Sequence, residues 1–322
     1  MTDKEIKKYS FLAEIACDYY ERGLSQNEIA DKICLSRTRV SRLLKEAEEA
    51  GIVQVSINYT FERHYELEER MKARFPVKNV QVLNNRIVPK DAIQANVGRL
   101  AASYIMSSLR KDMVIGTSWG TTLADTVACI RSAPFPIQVV QLMGAVPCRF
   151  SNHAPQGIVS DMASLFECRG EFLNLPLFIQ DTYVREAMKE DVNNKRVLNE
   201  GIFSDMVLTS VSAIETIDQQ DIWLGYLTPD MYKEACEKGA VGAMFARFYD
   251  KNGNEVDFTW NRSCIAIAFE HVKQVPDVVV IAAGKAKANA LRYALKAGLV
   301  HTLITDGTTA NAVLHEKEST NG

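Results

Sequence analysis

Three arginines, Arg37, Arg39 and Arg42, stand close together in the segment LSQNEIADKICLSRTRVSRLL (24–44). Guanidinium groups spaced this way suit two targets, phosphate oxygens and the acceptor edge of guanine. From Lys32 to Lys45 there are five basic residues (Lys32, Arg37, Arg39, Arg42 and Lys45) and no acidic one, although the whole chain carries a net charge of -3. The positive charge is therefore local, which points to double-stranded DNA as a partner. A second chemistry-bearing stretch is MVIGTSWGTT (113–122). Gly116 and Gly120 allow close approach of the backbone to a ligand. The hydroxyls of Thr117, Ser118, Thr121 and Thr122, with the free N–H groups at the start of the next helix, are anion donors. The loop is neither GxGxxG nor a P-loop, which argues against a dinucleotide or ATP. The alternative is a turn whose threonine only caps the next helix. Trp119 either stacks on a sugar ring or belongs to the core.

The arginines need a helix to present them. Ser25 and Glu28 form the pattern of a capping box, and Ile29, Ala30 and Ile33 follow as an apolar stripe at helical spacing. Ser36 caps a second helix in which Val40, Leu43 and Leu44 face inward. Arg37, Thr38, Arg39, Ser41 and Arg42 then face outward, with Lys45 one turn on. This is a helix-turn-helix, and Ser25, Gln26 and Ser36 at its helix starts join those residues as candidate DNA contacts. Cys34 occupies the turn position where glycine is common. The competing reading is an ordinary helical hairpin with a solvated basic face. Phe11, Leu12, Ile15, Ala16 and Tyr19 supply a preceding amphipathic helix. Gly51 ends the basic helix, and Val53–Ile57 alternates apolar and polar as a wing strand does. A winged domain over residues 1–58 follows.

With 322 residues, such a domain leaves room for a larger one. The composition, 47% hydrophobic and 24% charged, is that of a soluble globular protein. No apolar run reaches the roughly 20 residues of a membrane span, and the polar start MTDKEIKKYS lacks the core of a secretion signal. The seven cysteines have no CxxC spacing and read as reduced thiols of a cytoplasmic protein. The dispersed histidines offer no HExxH, so no metal or other cofactor is expected. Residues 61–75 read as a connecting helix with Leu67, Met71 and Phe75 in line, stopped by Pro76. It serves either to dock on its own domain or to pair subunits, and the linker is set at 59–78. Beyond it, from 79 to 322, branched-residue strands at 80–83, 113–116, 139–143, 278–282 and 302–305 alternate with helices at 90–110, 121–131, 156–168, 285–297 and from Thr308. That pattern is α/β, a doubly wound and mainly parallel sheet. Phe245–Asp250 and Val256 onward read as a hairpin turning at Lys251–Asn254.

Taken with MVIGTSWGTTL, VVQLMGA, GAVGAMFARFYDKNG and AAGKAKANALRYALKAGLVHTLITDGTTANAVL, the helix-turn-helix makes the chain resemble the SorC family of sugar-binding transcriptional regulators along nearly its whole length. The resemblance implies an effector domain folded like sugar-phosphate isomerases, binding a sugar or sugar phosphate. It implies homodimers or homotetramers on palindromic operators. It carries the phosphate loop onto Gly116–Thr122, a hydroxyl-binding aspartate onto Asp250, and a lysine beside the ligand onto Lys287. The chain departs from the family at Gly144-Ala145, where a glycine pair is frequent, and at Val211-Ser212-Ala213, where Gly-Ile-Gly is frequent. Asp250 alternatively caps the Asn-Gly turn, and Lys287 alternatively is a solvated helix lysine. The leading function is a ligand-controlled regulator of a carbohydrate or polyol operon without catalysis. Its competitors are a sugar-phosphate isomerase or deaminase with a DNA-binding domain, for which Asp250 and Asp306 are isolated candidates, and a helix-turn-helix used only for protein assembly.

Overall fold

The computed structural model describes residues 3–53, 62–146, 151–219, 223 and 225–315. It forms two compact units, Met1–Thr60 and Phe61–Gly322. In the first, α1 (Asp3–Tyr20), α2 (Gln26–Lys32) and α3 (Arg37–Glu49) close on one core. Leu12, Ile15 and Ala16 meet Ile29 and Ala30 of α2 and Val40, Leu43, Leu44 and Ala47 of α3. The capping box forms: the Ser25 N–H donates to Glu28 Oε2 at 2.8 Å, and the Glu28 N–H to Ser25 Oγ at 3.2 Å. Ser36 Oγ accepts from the Arg39 N–H at 3.2 Å. Cys34 in the turn has φ of +54°, the left-handed region where a side chain is crowded. The Leu35 N–H holds that turn closed on the Ala30 carbonyl at 2.9 Å. Of the expected wing strand, only Val53 lies within the described residues, and it packs half-buried on this core.

The second unit opens with α4 (Tyr65–Arg74). Leu67, Met71 and the following Phe75 are buried with Val80, Val82 and Leu303, so this segment docks on its own domain. Glu68 fastens it, accepting the Arg63 guanidinium at 2.6 and 2.9 Å and the Val82 N–H at 2.9 Å. In chain order the further strands are β1 (Asn79–Leu83), β2 (Val114–Thr117), β3 (Gln138–Gln141), β4 (Arg169–Glu171), β5 (Met206–Thr209), β6 (Ser212–Ala213), β7 (Gly242–Met244), β8 (Arg247–Tyr249), β9 (Asp277–Ala282) and β10 (Thr302–Asp306). The helices among them are α5 (Ile93–Ser108), α6 (Thr121–Val127), α7 (Pro155–Phe166), α8 (Thr182–Lys189), α9 (Val192–Ile202), α10 (Pro229–Glu237), α11 (Thr259–Ser263), α12 (Phe269–Val272), α13 (Ala288–Lys296) and α14 (Gly307–Leu314).

Seven strands make one parallel sheet in the order β1-β10-β9-β5-β2-β3-β4. The period-2 alternation of β9 shows why helices cover both faces. Val278, Val280 and Ala282 pack with α4, α13 and α14, while Val279 and Ile281 pack with α5, α6 and α7. From β2 the chain steps outward to β3 and β4; from β5 it steps the other way, to β9 and β10. The neighbours β2 and β5 therefore mark the point where connections diverge, and ligands of open α/β sheets bind at the carboxyl ends there.

A small antiparallel sheet, β6-β7-β8, sits on an aromatic cluster of Trp223, Phe248, Phe258 and Trp260. Here the expected hairpin is preceded by a second one. Its tight turn lies at Phe245 and Ala246, both with positive φ (52° and 58°), between β7 and β8. The Lys251–Asn254 turn after β8 closes as expected: Tyr249 bridges Glu255, the Val256 N–H donates to the Phe248 carbonyl and the Asp250 N–H to the Asn254 carbonyl, both at 3.0 Å. Burial of both Phe245 and Ala246 imposes a turn that their residue types disfavour. At the other unusual turn, Cys34→Gly is expected to raise the stability of the N-terminal unit by about 1 kcal/mol and Cys34→Val to lower it. Thermal melts of the two variants check this.

Candidate functional site

On the first unit, α3 buries Val40, Leu43, Leu44 and Ala47 and turns the opposite face outward. Arg37, Thr38, Arg39, Ser41, Arg42 and Lys45 are all exposed, as are the caps Ser25 and Ser36; Gln26 is half-buried at the start of α2. Among the described residues Arg37, Arg39 and Arg42 join no ion pair, while Lys45 lies 3.6 Å from Glu49. Lys32 is spoken for. With Arg22 it holds the buried Asp18, at 2.7 and 2.5 Å, and these hydrogen bonds (Lys32 first) keep the Asp18 carboxyl below the usual carboxylate range. Three unpaired guanidinium groups at the start of an exposed helix are the arrangement that enters a major groove.

The second site gathers at the carboxyl ends of β2, β5 and β9. Gly116 has no room for a side chain: a Cβ there would meet Leu142 at 2.6 Å. Thr117 is fully buried, and its Oγ1 has no hydrogen-bond partner among the described residues. Ser118 ties the loop to β5, its N–H to the Leu208 carbonyl at 3.1 Å and its Oγ to Thr209 Oγ1 at 2.9 Å. Trp119 takes the core role. It is 7% exposed and packs edge-on against Trp223 at 5.0 Å, anchoring the loop in the aromatic cluster. Gly120, at φ of 112°, donates its N–H to the His153 carbonyl at 3.0 Å and starts α6. The N–H groups of Thr121, Thr122 and Leu123 have no acceptor among the described residues, as expected for a helix start. Thr121 is exposed and Thr122 buried.

Lys287, in the short turn of helix before α13, comes into this loop. Its Nζ donates to Thr122 Oγ1 at 3.3 Å and to Ser210 Oγ at 3.2 Å. Part of the side chain reaches solvent, yet the ammonium is enclosed by protein, and that burial alone lowers its pKa to about 8. No carboxylate faces it among the described residues. Ser210, at the end of β5, and Thr209 beside it are site residues that sequence reasoning missed.

Asp250 stands apart. Its Oδ1 accepts the N–H groups of Asn252 and Asn254 at 2.8 and 2.9 Å, so it caps the Asn-Gly turn. That turn packs through Gly253 on Ala297, beyond the end of α13, whereas Lys287 precedes its start. The two are on the order of 15 Å apart along the helix axis. Asp306 is wholly committed. Its carboxylate accepts from Asn85 Nδ2 and from the N–H groups of Thr308, Thr309 and Gly284, and is also bonded to the Thr309 hydroxyl. Among the described residues no helix is long and apolar enough to cross a membrane.

Comparison with known proteins divides the chain in the same way. Residues 20–54 match a winged helix-turn-helix DNA-binding family, and residues 59–315 match a family described as a putative sugar-binding domain. The transcriptional regulator LsrR of Escherichia coli is 30% identical over 310 residues, which is 94% of each chain. The deoxyribonucleoside regulator of Bacillus subtilis is 26% identical over 98% of this chain and 99% of its own. The full-length sorbitol operon regulator SorC of Klebsiella pneumoniae has the same fold, with a TM-score of 0.72 over 96% of this chain and all of that one, at 22% identity. For the DNA-facing helix, at least one of Arg37→Ala, Arg39→Ala and Arg42→Ala is expected to cost about 1–3 kcal/mol in operator binding and to blur discrimination against a random duplex. Fluorescence anisotropy at fixed salt reads this; three variants with wild-type affinity would remove the assignment.

Proposed function

The chain belongs to the SorC family of sugar-binding transcriptional regulators, and from that premise we propose that a phosphorylated sugar or polyol, held between the Gly116–Thr122 loop and Lys287, sets its affinity for operator DNA. The observation that carries this reading is the buried Lys287 ammonium, which has hydroxyl partners and no counter-charge. A lone buried cation is costly, here on the order of 3 kcal/mol judged from its lowered pKa. An anionic ligand would offset that cost through charge-assisted hydrogen bonds. Thr117 Oγ1, Thr121, Thr122 and the free N–H groups of Thr121, Thr122 and Leu123 are the donors left over for its oxygens. Gly120 allows the approach, Gly116 makes room for Leu142 behind the loop, and Ser118 and Trp119 hold the loop in shape. Asp250, committed to its turn beyond the far end of α13, lies outside this ligand site.

Regulation requires that the ligand favour one arrangement of the protein over another. One helix-turn-helix covers one half-site, so operator binding takes a homodimer or homotetramer with half-sites spaced by helical turns. The cytoplasm is the compartment such a protein works in. We read it as a regulator without catalysis. Proton transfer needs a positioned base, and every oxygen of Asp306 is already used in holding β9, β10 and the start of α14 together.

Lys287→Met tests the site. Removing an unpaired buried charge is expected to leave the melting temperature of the ligand-free protein unchanged or raised. The same substitution should abolish the upward shift produced by sugar phosphates such as fructose 6-phosphate or sorbitol 6-phosphate. Operator affinity without ligand should be unchanged. A variant that responds to the sugar phosphates with the wild-type midpoint would place the effector elsewhere.

A further inference from the structure

We propose that the outward face of α9 is a contact surface for a second copy of this chain. The inference rests on the two-copy reading of operator binding and assigns that association a place. Large exposed apolar side chains in the second unit are concentrated. Apart from Tyr65 they are Phe172, Tyr183, Val184, Val192 and Phe203, all on α8, α9 and the segment after the edge strand β4. Val192 is 86% exposed at the start of α9, and Phe203 80% exposed just past its end. They belong to one surface. Val192 and Phe203 line the same open groove of about 560 Å³ with Lys195, Arg196 and Asn199. Phe172 adjoins it, its carbonyl accepting from Asn193 Nδ2 at 3.2 Å.

The spacing and the charges point to a copy of itself as the occupant. Val192, Arg196, Asn199 and Phe203 recur every three or four residues, a single helix face. In a heptad frame they take d, a, d and a, which puts Lys195 at g and Glu200 at e. Two α9 helices lying side by side and parallel about a two-fold axis would set Lys195 against the partner subunit's Glu200, and its symmetry mate likewise. The rim carries both signs, with Lys195 on Glu190 at 2.6 Å and Arg196 on Glu200 at 2.8 Å and Glu171 at 2.5 Å. A surface that must complement itself needs this mixture. Nucleic acid would need one sign only.

The experiment is sedimentation velocity of the full chain at micromolar concentration, for the wild type, the double variant Val192→Glu/Phe203→Glu, and Tyr65→Glu as an equally apolar exposed site outside the surface. The wild type is expected to sediment as a dimer or tetramer, Tyr65→Glu to match it, and the double variant to have half its mass. Circular dichroism at room temperature should agree among the three, since every substituted side chain is exposed, and the double variant is expected to melt lower than the others through loss of its partner. A double variant that keeps the mass of an oligomeric wild type overturns this surface and leaves the two-copy reading intact. A monomeric wild type, alone and with operator, overturns both, and so assigns the apolar face to a different protein.

Discussion

The contact of the Lys287 ammonium with Thr122 and Ser210 depends on more of this structure than any other single interaction. The three residues follow β9, β2 and β5. They meet only because those strands are neighbours in the sheet and all point the same way. The adjacency is itself a product of packing. β5 is buried along its whole length, and β9 sends alternate side chains into two separate helix layers. Once the layers close, the strand ends converge and the charged group is carried out of water. No carboxylate compensates it among the described residues, in contrast to three buried carboxylates that are well supplied with donors: Asp18 by Lys32 and Arg22, Glu68 by Arg63 and the Val82 N–H, Asp306 by the loop ends around it. Among the described residues the buried Arg292 also lacks a carboxylate, but three backbone carbonyls hold it, whereas Lys287 has two hydroxyls alone.

What the residue pattern revealed, and what it hid, follows from length and locality. The helix-turn-helix was legible because its signals are local: Ser25 and Glu28 three residues apart, a stripe at helical spacing, arginines on the opposite face. The Gly116–Thr122 loop was legible from glycines and hydroxyls lying between a branched strand and a helix. β5 was not, because MVLT is four residues long and shows no period. With it went Thr209 and Ser210, whose roles arise from contacts distant in the chain, with Ser118 after β2 and with Lys287 after β9. The turn at Phe245 and Ala246 ran against local preference, and tertiary burial decided it. Trp119 was ambiguous by type, since a loop aromatic serves a ligand or a core equally well; the aromatic cluster around Trp223 settles its ring. Lys287 came from family resemblance, as no spacing argument connects it with a loop so distant in the chain.

Trp119 also suggests how the loop and the small sheet are mechanically joined. One end of the loop is bonded to β5 through Ser118 and Thr209, and the next residue is embedded among Trp223, Phe248 and Trp260. A ligand that tightens the loop therefore acts on a packed cluster that cannot deform by small degrees. Transmission of such a change depends on contiguous packing of this kind, with two arrangements that the ligand distinguishes.

The central claim is that the effector supplies the negative charge that Lys287 lacks. Its most direct test is the proton balance of binding. Burial lowers the Lys287 pKa to about 8, so around that pH the free site is only partly protonated. A bound phosphate raises the pKa, so binding takes up protons and affinity falls as pH rises above 8. Calorimetry of the same titration in buffers of different ionisation enthalpy reads the number directly, with the sugar phosphate that gives the largest melting shift as ligand. Net proton uptake is expected between about pH 7 and 9, absent in Lys287→Met. Binding with no proton uptake in the wild type would contradict it.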